Sequence, residues 1–251
     1  MERSVSIIIL AAGLGTRMKS DRAKVLHLIH DSPMIRYVVD TAVQVAGVER
    51  VVVVVGHQAE AVKAAVSAFY PVSFALQAEQ RGTGHAVRCA MGALAPQTAQ
   101  VVILCGDVPL LRATTIERLI DRHCRDANDL TLLAVEMAQP EGYGRILTDA
   151  HGRLQGIVEE ADASLIQRSI KLVNSGIYCV AREFLDYALG RIRPDNVQKE
   201  YYLTDIVAIA GATHRRLGVM TADAALEVSG VNTVEQLAAV TAAMPPMGKT
   251  A

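Results

Sequence analysis

VSIIILAAGLGTRM, residues 5–18, with Lys24 close behind, is the stretch that decides the fold. Residues 5–10 form an unbroken β-branched and aliphatic run, the pattern of a parallel strand covered on both faces. The run then breaks into Gly13, Gly15, Thr16 and Arg17. Glycines let a backbone approach phosphates closely and turn its N–H groups inward, while Arg17 and Lys24 can neutralise charge that amides only polarise. A GxGxxG dinucleotide fingerprint fails, because Met18 stands where the third glycine belongs and the second strand ends in Gly56-His57 without the ribose-binding acid. A P-loop fails as well, since no GxxxxGK[ST] is present. Polyphosphate fits the arrangement; taken alone, the glycine pair is better explained as a tight βα turn with incidental surface cations.

Working outward, strands and helices alternate. Asp31 and Ser32 are candidate caps and Pro33 suits a first helical turn, followed by an apolar stripe of Ile35, Val38, Val39, Ala42 and Ala46 that ends at Gly47. Residues 50–55 read as a strand, 59–69 as a helix, 72–76 as a strand, 84–95 as a helix and 101–105 as the fourth strand. A helix from Ala113 and a strand over 130–136 follow. The texture then shifts to short segments and turns (GYGRILTD, AHGR, LQGIVEE), which predict antiparallel hairpins. Residues 172–180 read as a strand, 184–191 and 201–210 as helices, 215–220 as a strand and 233–244 as a last helix. Pro245 and Pro246 stop it before a loose tail. The expected fold is α/β: a doubly wound, mostly parallel Rossmann-like sheet with an inserted antiparallel region over one end.

Composition narrows the function class. At 251 residues the chain fits one large domain, since single cores grow to roughly 250–300 residues. With 51% hydrophobic and 20% charged residues it lies far from the disordered class. Lys and Arg (25) nearly balance Asp and Glu (26), so no global field gathers nucleic acid or a membrane surface, and neither is expected as a partner. The four cysteines, Cys89, Cys105, Cys124 and Cys179, form no CxxC pair and read as buried reduced thiols of a cytoplasmic protein. At the start, Glu2 cancels Arg3 and the apolar run leads straight into the glycine loop, so a buried strand is expected there, not a signal peptide. No run reaches the roughly 18–20 apolar residues that span a bilayer.

Further motifs carry chemistry. Cys105-Gly106-Asp107-Val108-Pro109 ends the fourth strand, where ligands of open sheets gather, so Asp107 could join the first loop as a metal ligand. Mg2+ takes one or two carboxylates plus phosphate oxygens and water. An Asp capping the next turn is a serious competitor. Gln77 and the Gly82-Thr83 pair precede a helix; Gln77 has the donor and acceptor atoms a base edge requires, although Gly and Thr there are also ordinary capping residues. Tyr143, Gly144, Arg145, Glu159 and Asn174 lie in the hairpin region, where polar groups could bond a sugar; singly, each reads as a solvated loop residue. The histidines give no HExxH spacing, His27 and His30 are one turn apart only if that segment is helical, and none is assigned a metal. Tyr201 and Tyr202 read as core with polar tips.

Together, LAAGLGTRMKSDRAKVLH, QAEQRGTGHA, CGDVPLL, GYGRI, GIVEEADA, NSGIY, EYYLTDI and VSGVNT resemble, in order and spacing, the uridylyltransferase domain of bacterial N-acetylglucosamine-1-phosphate uridylyltransferases. The likeness runs over residues 5–236. It implies a nucleotidyltransferase domain over 1–230, with a C-terminal helix and tail over 231–251. It implies transfer of UMP from UTP to N-acetylglucosamine-1-phosphate with Mg2+, in cell-wall precursor biosynthesis. By resemblance, nucleotide and sugar touch Leu10, Ala11, Ala12, Gly13, Lys24, Gln77, Gly82, Thr83, Cys105, Gly106, Asp107, Gly144, Glu159, Asn174 and Asn232. Asp107 and Asn232 hold Mg2+, and Arg17 and Lys24 are catalytic. Another nucleotide or sugar phosphate, or a sensor without turnover, are the rival readings.

Departures from the family pattern are Ala23 where Pro is usual, Cys105 where Tyr is frequent, and Ala161 where Lys is common. The family is usually bifunctional, with a C-terminal acetyltransferase β-helix through which it trimerises. No hexapeptide repeats occur up to Ala251, so neither the acetyltransferase activity nor the trimer is expected of this chain. The Pro-Pro stop and short tail favour a natural end.

Overall fold

The run that opened the sequence becomes β1 (Val5–Ala11), the middle of the sheet, in a computed structural model that describes residues 4–244. It pairs in parallel with β4 (Val51–Val55) on one side and β6 (Gln100–Cys105) on the other; Ile9 stands opposite both Val53 and Leu104. Side chains of a strand alternate between faces. Ile7 and Ile9 therefore enter one core with Val51, Val53, Val102 and Leu104, while Ile8 enters a second with Val52, Val54, Val101 and Ile103. Burial on both faces is why the run shows no polar alternation.

The remaining elements, in chain order, are a small hairpin of β2 (Leu28–Ile29) and β3 (Ser32–Pro33), α1 (Met34–Ala46), α2 (Ala59–Ser67), β5 (Ser73–Leu76), α3 (Thr83–Ala90) and α4 (Ala113–Arg125). Then follow β7 (Leu130–Glu136), β8 (Arg145–Thr148), β9 (Leu154–Val158), α5 (Leu165–Arg168), β10 (Leu172–Ala181), α6 (Arg182–Leu189), α7 (Asp205–Ala212), β11 (Leu217–Thr221) and α8 (Val234–Ala243). Among the described residues the large sheet runs β11-β7-β10-β6-β1-β4-β5, with the β8–β9 hairpin attached to β10. Every pair along this path is parallel except those of β10, which is antiparallel to β6, β7 and β8. Helices α1, α2 and α4 close one face and α3, α6 and α7 the other, as expected of a doubly wound sheet. No helix among the described residues is long and apolar enough to cross a membrane.

The structure departs from several expectations. The helix foreseen over 201–210 starts only at Asp205, because the preceding backbone is engaged elsewhere. The Tyr201 N–H donates to Arg81 O at 2.8 Å, Tyr201 O accepts from the Gly84 N–H at 2.8 Å, and the Leu203 N–H donates to Thr83 Oγ1 at 3.1 Å. Neither Asp31 nor Ser32 caps α1; Pro33 is its N-cap, and the Met34 N–H reaches back to His27 O at 2.9 Å. His27 and His30 consequently lie around a hairpin, not on a helix. The four-residue α5, closed by a Ser164–Gln167 capping box, interrupts the expected hairpins. Tyr202 is buried with its hydroxyl on Asp162 and Gln198, whereas Tyr201 is half-buried. The expected Pro245-Pro246 stop and tail, and Glu2 and Arg3, lie outside the described residues.

A third, small cluster of Ile29, Met34, Tyr37, Val231 and Val240 fastens α8 beside the β2–β3 hairpin and α1. Thr233 caps α8 reciprocally with Gln236, and Gln236 Oε1 also accepts the Asn232 N–H at 2.7 Å. The helix start thereby fixes Asn232 at the end of the sheet.

Candidate active site at the carboxyl ends of β1 and β6

From β1 the chain moves outward through β4 to β5 and returns on the other side of β1 as β6, so strand order reverses between β1 and β6. The crevice beyond the carboxyl ends at such a reversal is where open α/β sheets bind ligands. Two hollows open there. A cleft of about 460 Å³ is bordered by residues 10–16, Gln77, Gly82 and Thr83. A hollow of about 300 Å³ is bordered by Arg17, Gly144, Glu159, Asn174 and Asn232. Leu10, Lys24, Thr83, Cys105 and Asp107 border both. The sequence-designated residues thus come together, except Gly106, which borders neither and donates its N–H to Leu10 O at 2.9 Å. A wider hollow of about 830 Å³, beside Ser4, Glu49 and Arg50, contains none of them.

The glycine loop needs Gly15 for two reasons. Its φ is +65°, and a Cβ there would stand 2.6 Å from Lys24 Cβ. Gly13 has open space where its Cβ would be, facing the cleft. Lys24 begins a short 3-10 turn behind Ala23. The Ala23 N–H donates to Gln58 Oε1 at 2.8 Å, a bond proline cannot make. At φ −52° and ψ 133° the backbone itself already has a proline-like shape.

Where the hollows meet, Lys24 Nζ contacts Asp107 Oδ2 and lies 3.0 Å from Asn232 Oδ1. Arg17 Nη2 donates to the same Asn232 oxygen at 2.8 Å. These partners are 83, 208 and 215 positions apart in sequence. The Val231 N–H donates to Asp107 O at 2.8 Å and joins the two acceptor segments. Asn232 Nδ2 donates to Gly230 O at 3.2 Å, so the amide turns its oxygen to the cations. Asp107 and Asn232 therefore form a pair of hard oxygen donors already coordinating positive charge, which fits Mg2+. No group of three or more His, Cys, Asp or Glu suited to a metal occurs among the described residues, so a metal here needs further oxygens, as phosphates supply.

In the other hollow, burial pushes the Glu159 carboxyl above its ordinary value, against a hydrogen bond from Thr204 Oγ1 at 3.0 Å. Asn174 sits at a bulge of β10, its Oδ1 accepting the Gly176 N–H at 3.1 Å. The Cys105 thiol, half-buried beside Asp107, is pushed up by desolvation to about 12 and donates to Gly176 O at 3.6 Å; it is a neutral packing group and not a nucleophile. Arg145 corrects an expectation. It is 1% exposed and borders neither hollow, its guanidinium lying on Glu160 Oε2 at 2.7 Å and on the Tyr143 and Arg168 carbonyls. It pins the inserted region together. Thr204, Glu200 and His85 were not singled out by sequence reasoning; only the EYYLTDI and GTGHA motifs around them signalled their place.

Comparisons with known proteins agree with this geometry. The family described as MobA-like NTP transferase domain matches residues 7–172. "Bifunctional protein GlmU" of Syntrophotalea carbinolica is 49% identical over 240 residues, 96% of this chain and 51% of that protein. The proteins of the same name from Geobacter metallireducens (48% over 234 residues, 93% and 49%) and Trichlorobacter lovleyi (46% over 231, 92% and 50%) are similar to it as well. The chain spans about half the length of these curated relatives. With most of its length matched, and strands β2 to β9 and all but the first two residues of β1 inside that match, the chain belongs to the MobA-like NTP transferase domain family, the nucleotidyltransferase class implied by its motifs.

Proposed function

We propose that this chain transfers UMP from UTP to N-acetylglucosamine-1-phosphate, giving UDP-N-acetylglucosamine and pyrophosphate. The observation that carries the reading is the junction of two hollows at Lys24 and Asp107. One hollow has the amide of Gln77 and the start of α3 for a base, the other has Glu159 and Asn174 for a sugar, and cations and oxygen donors stand between them. The relatives' likeness over nearly the whole chain supports the choice of substrates.

A phosphate oxygen of the sugar phosphate attacks the α-phosphorus in line. The new P–O bond forms as the bond to the β-phosphate's bridging oxygen breaks, and pyrophosphate carries the electron pair away. The nucleophile is already an anion, so no side chain need take a proton, and catalysis rests on positioning and charge neutralisation. Arg17 and Lys24 serve the phosphates. Asp107 and Asn232 would hold Mg2+, which neutralises charge on the triphosphate when bound.

Pyrophosphate release, measured with UTP, dTTP and CTP against N-acetylglucosamine-1-phosphate and glucose-1-phosphate, with and without Mg2+, tests the reading. The highest rate is expected for the UTP and N-acetylglucosamine-1-phosphate pair with Mg2+. A higher rate for another pair reassigns the substrates, and silence throughout, with nucleotide sugar still bound, points to a sensor.

A further inference from the structure

The Gln77 side chain meets the base hollow from a buried position, 3% exposed, at the end of β5. A carboxamide can be turned two ways, offering either its oxygen or its NH2, and the hydrogen-bond network decides which. Here one neighbour is Gly82 O, 3.0 Å away, and a carbonyl can only accept. The atom facing it is therefore Nε2. The other neighbour of Nε2 is His85 Nδ1 at 3.1 Å. Since Nε2 has only hydrogens to offer, Nδ1 must accept, and the ring proton belongs on His85 Nε2, which faces Cys89 Sγ at 3.9 Å. Burial, then the charges of Arg88 and Arg81, lower the His85 pKa, against a backbone hydrogen bond to Glu79 and the Glu79 charge. Both hydrogens of the Gln77 NH2 are thus engaged inside the protein, and Oε1 is left to meet a ligand as an acceptor.

Resting on the nucleotide-binding reading above, we propose that His85 is a positioning residue for base selection: it holds the Gln77 carboxamide so that the site accepts a hydrogen bond from the base. A pyrimidine with an N3–H, such as uracil or thymine, satisfies that acceptor. Cytosine, whose N3 is itself an acceptor, sets lone pair against lone pair. His85 does not touch the nucleotide in this scheme. It acts one residue away, from the first turn of α3, while Gly82, at φ +102° with Tyr201 O where a Cβ would go, holds its carbonyl against the other hydrogen. Without His85 one N–H is released, and the amide can turn to present a donor.

The test compares the UTP and CTP preference, as kcat/KM and as direct binding of each nucleotide, in the wild type, His85→Phe and His85→Asn. Phe keeps a ring against Tyr201 but has no acceptor; Asn can place Oδ1 where Nδ1 stood. The preference for UTP is expected to fall about tenfold or more in His85→Phe, the scale of losing one orienting hydrogen bond, and to recover in His85→Asn. The sugar-phosphate KM should stay unchanged. An undiminished preference in His85→Phe overturns the role of His85 while leaving the nucleotidyltransferase reading intact, whereas failure of the wild type to bind either nucleotide overturns both. Long-range 1H–15N spectra of the free wild type supply a check that needs no variant to fold. They should show His85 at neutral pH with a bare Nδ1 and a protonated Nε2, and a protonated Nδ1 overturns the proposal.

Discussion

At the junction of the hollows Lys24 lies against Asp107 and shares Asn232 with Arg17, so each charge meets an opposite charge or a polar oxygen. On the β9 and α7 side, Glu159 and Asp205 are half-buried carboxyls pushed up in pKa by desolvation, with Asp162 adding like charge to both. The first region stands on parallel strands, where register fixes Cys105 opposite Leu10. The second stands on an antiparallel insertion joined to the sheet at β10 and held inside by Arg145. On the function proposed above, this is a division of labour: charge pairs on the parallel sheet serve the transfer, and the appended region with its raised carboxyls receives the acceptor.

The sharpest break is Lys24→Ala. Losing one preorganised cation from a sheltered site is expected to cut turnover about 100- to 1,000-fold, about 2.7–4 kcal/mol of barrier. Melting should move by a few degrees at most, because the core clusters do not include Lys24. Steady-state kinetics beside a thermal melt check this; near-normal turnover removes Lys24 from the chemistry.

Arg145→Ala attacks the other region. The guanidinium leaves behind the Tyr143 and Arg168 carbonyls and Glu160, and the expected cost is about 2–3 kcal/mol in denaturant unfolding. The sugar-phosphate KM should rise while nucleotide binding persists. Equal weakening of both substrates would show that the two regions are not separable.

Thr233→Ala tests how the proposed metal donors Asp107 and Asn232 depend on a distant helix start. Loss of the Thr233 cap on the Gln236 N–H is expected to cost about 1 kcal/mol. Since Gln236 also holds the Asn232 N–H, the Mg2+ concentration for half-maximal rate should rise several-fold. A Mg2+ titration that does not shift would mean Asn232 needs no help from α8.

The same contrast explains what the sequence made legible. β1 and its loop could be read because a parallel strand buried on both faces is a continuous apolar run, and the reversal beside β1 puts Asp107 next to that loop. The antiparallel β8–β9 hairpin was legible from the short segments and turns of GYGRILTD, AHGR and LQGIVEE. Residues whose roles depend on contacts between remote loops were not. The Leu203 N–H finds Thr83 120 positions away, which unwinds the expected helix at 201–204 and presents Thr204 to Glu159. Nor does a lone Arg in a turn-rich stretch announce that it will be buried, as Arg145 is.

The smallest effect concerns the acids themselves. The Asp205 pKa is raised from 3.8 to about 6, first by burial and then by Asp162. A folded-state pKa above the unfolded value means that the folded protein holds the proton more tightly. The stabilising contribution is therefore complete below about pH 4 and is lost as pH rises through about 6. Asp205→Asn removes this titration and keeps the shape. Relative to wild type, the variant should gain melting temperature between about pH 4 and pH 6 and level off above that, by a degree or two in all given its partial exposure. The difference between the two proteins cancels Glu200, raised by burial alone, and retains Asp205 together with the part of the Glu159 shift that the Asp205 charge causes. A gap that stays constant with pH would mean that Asp205 is solvated like an ordinary carboxylate, and that the second region handles charge no differently from the first.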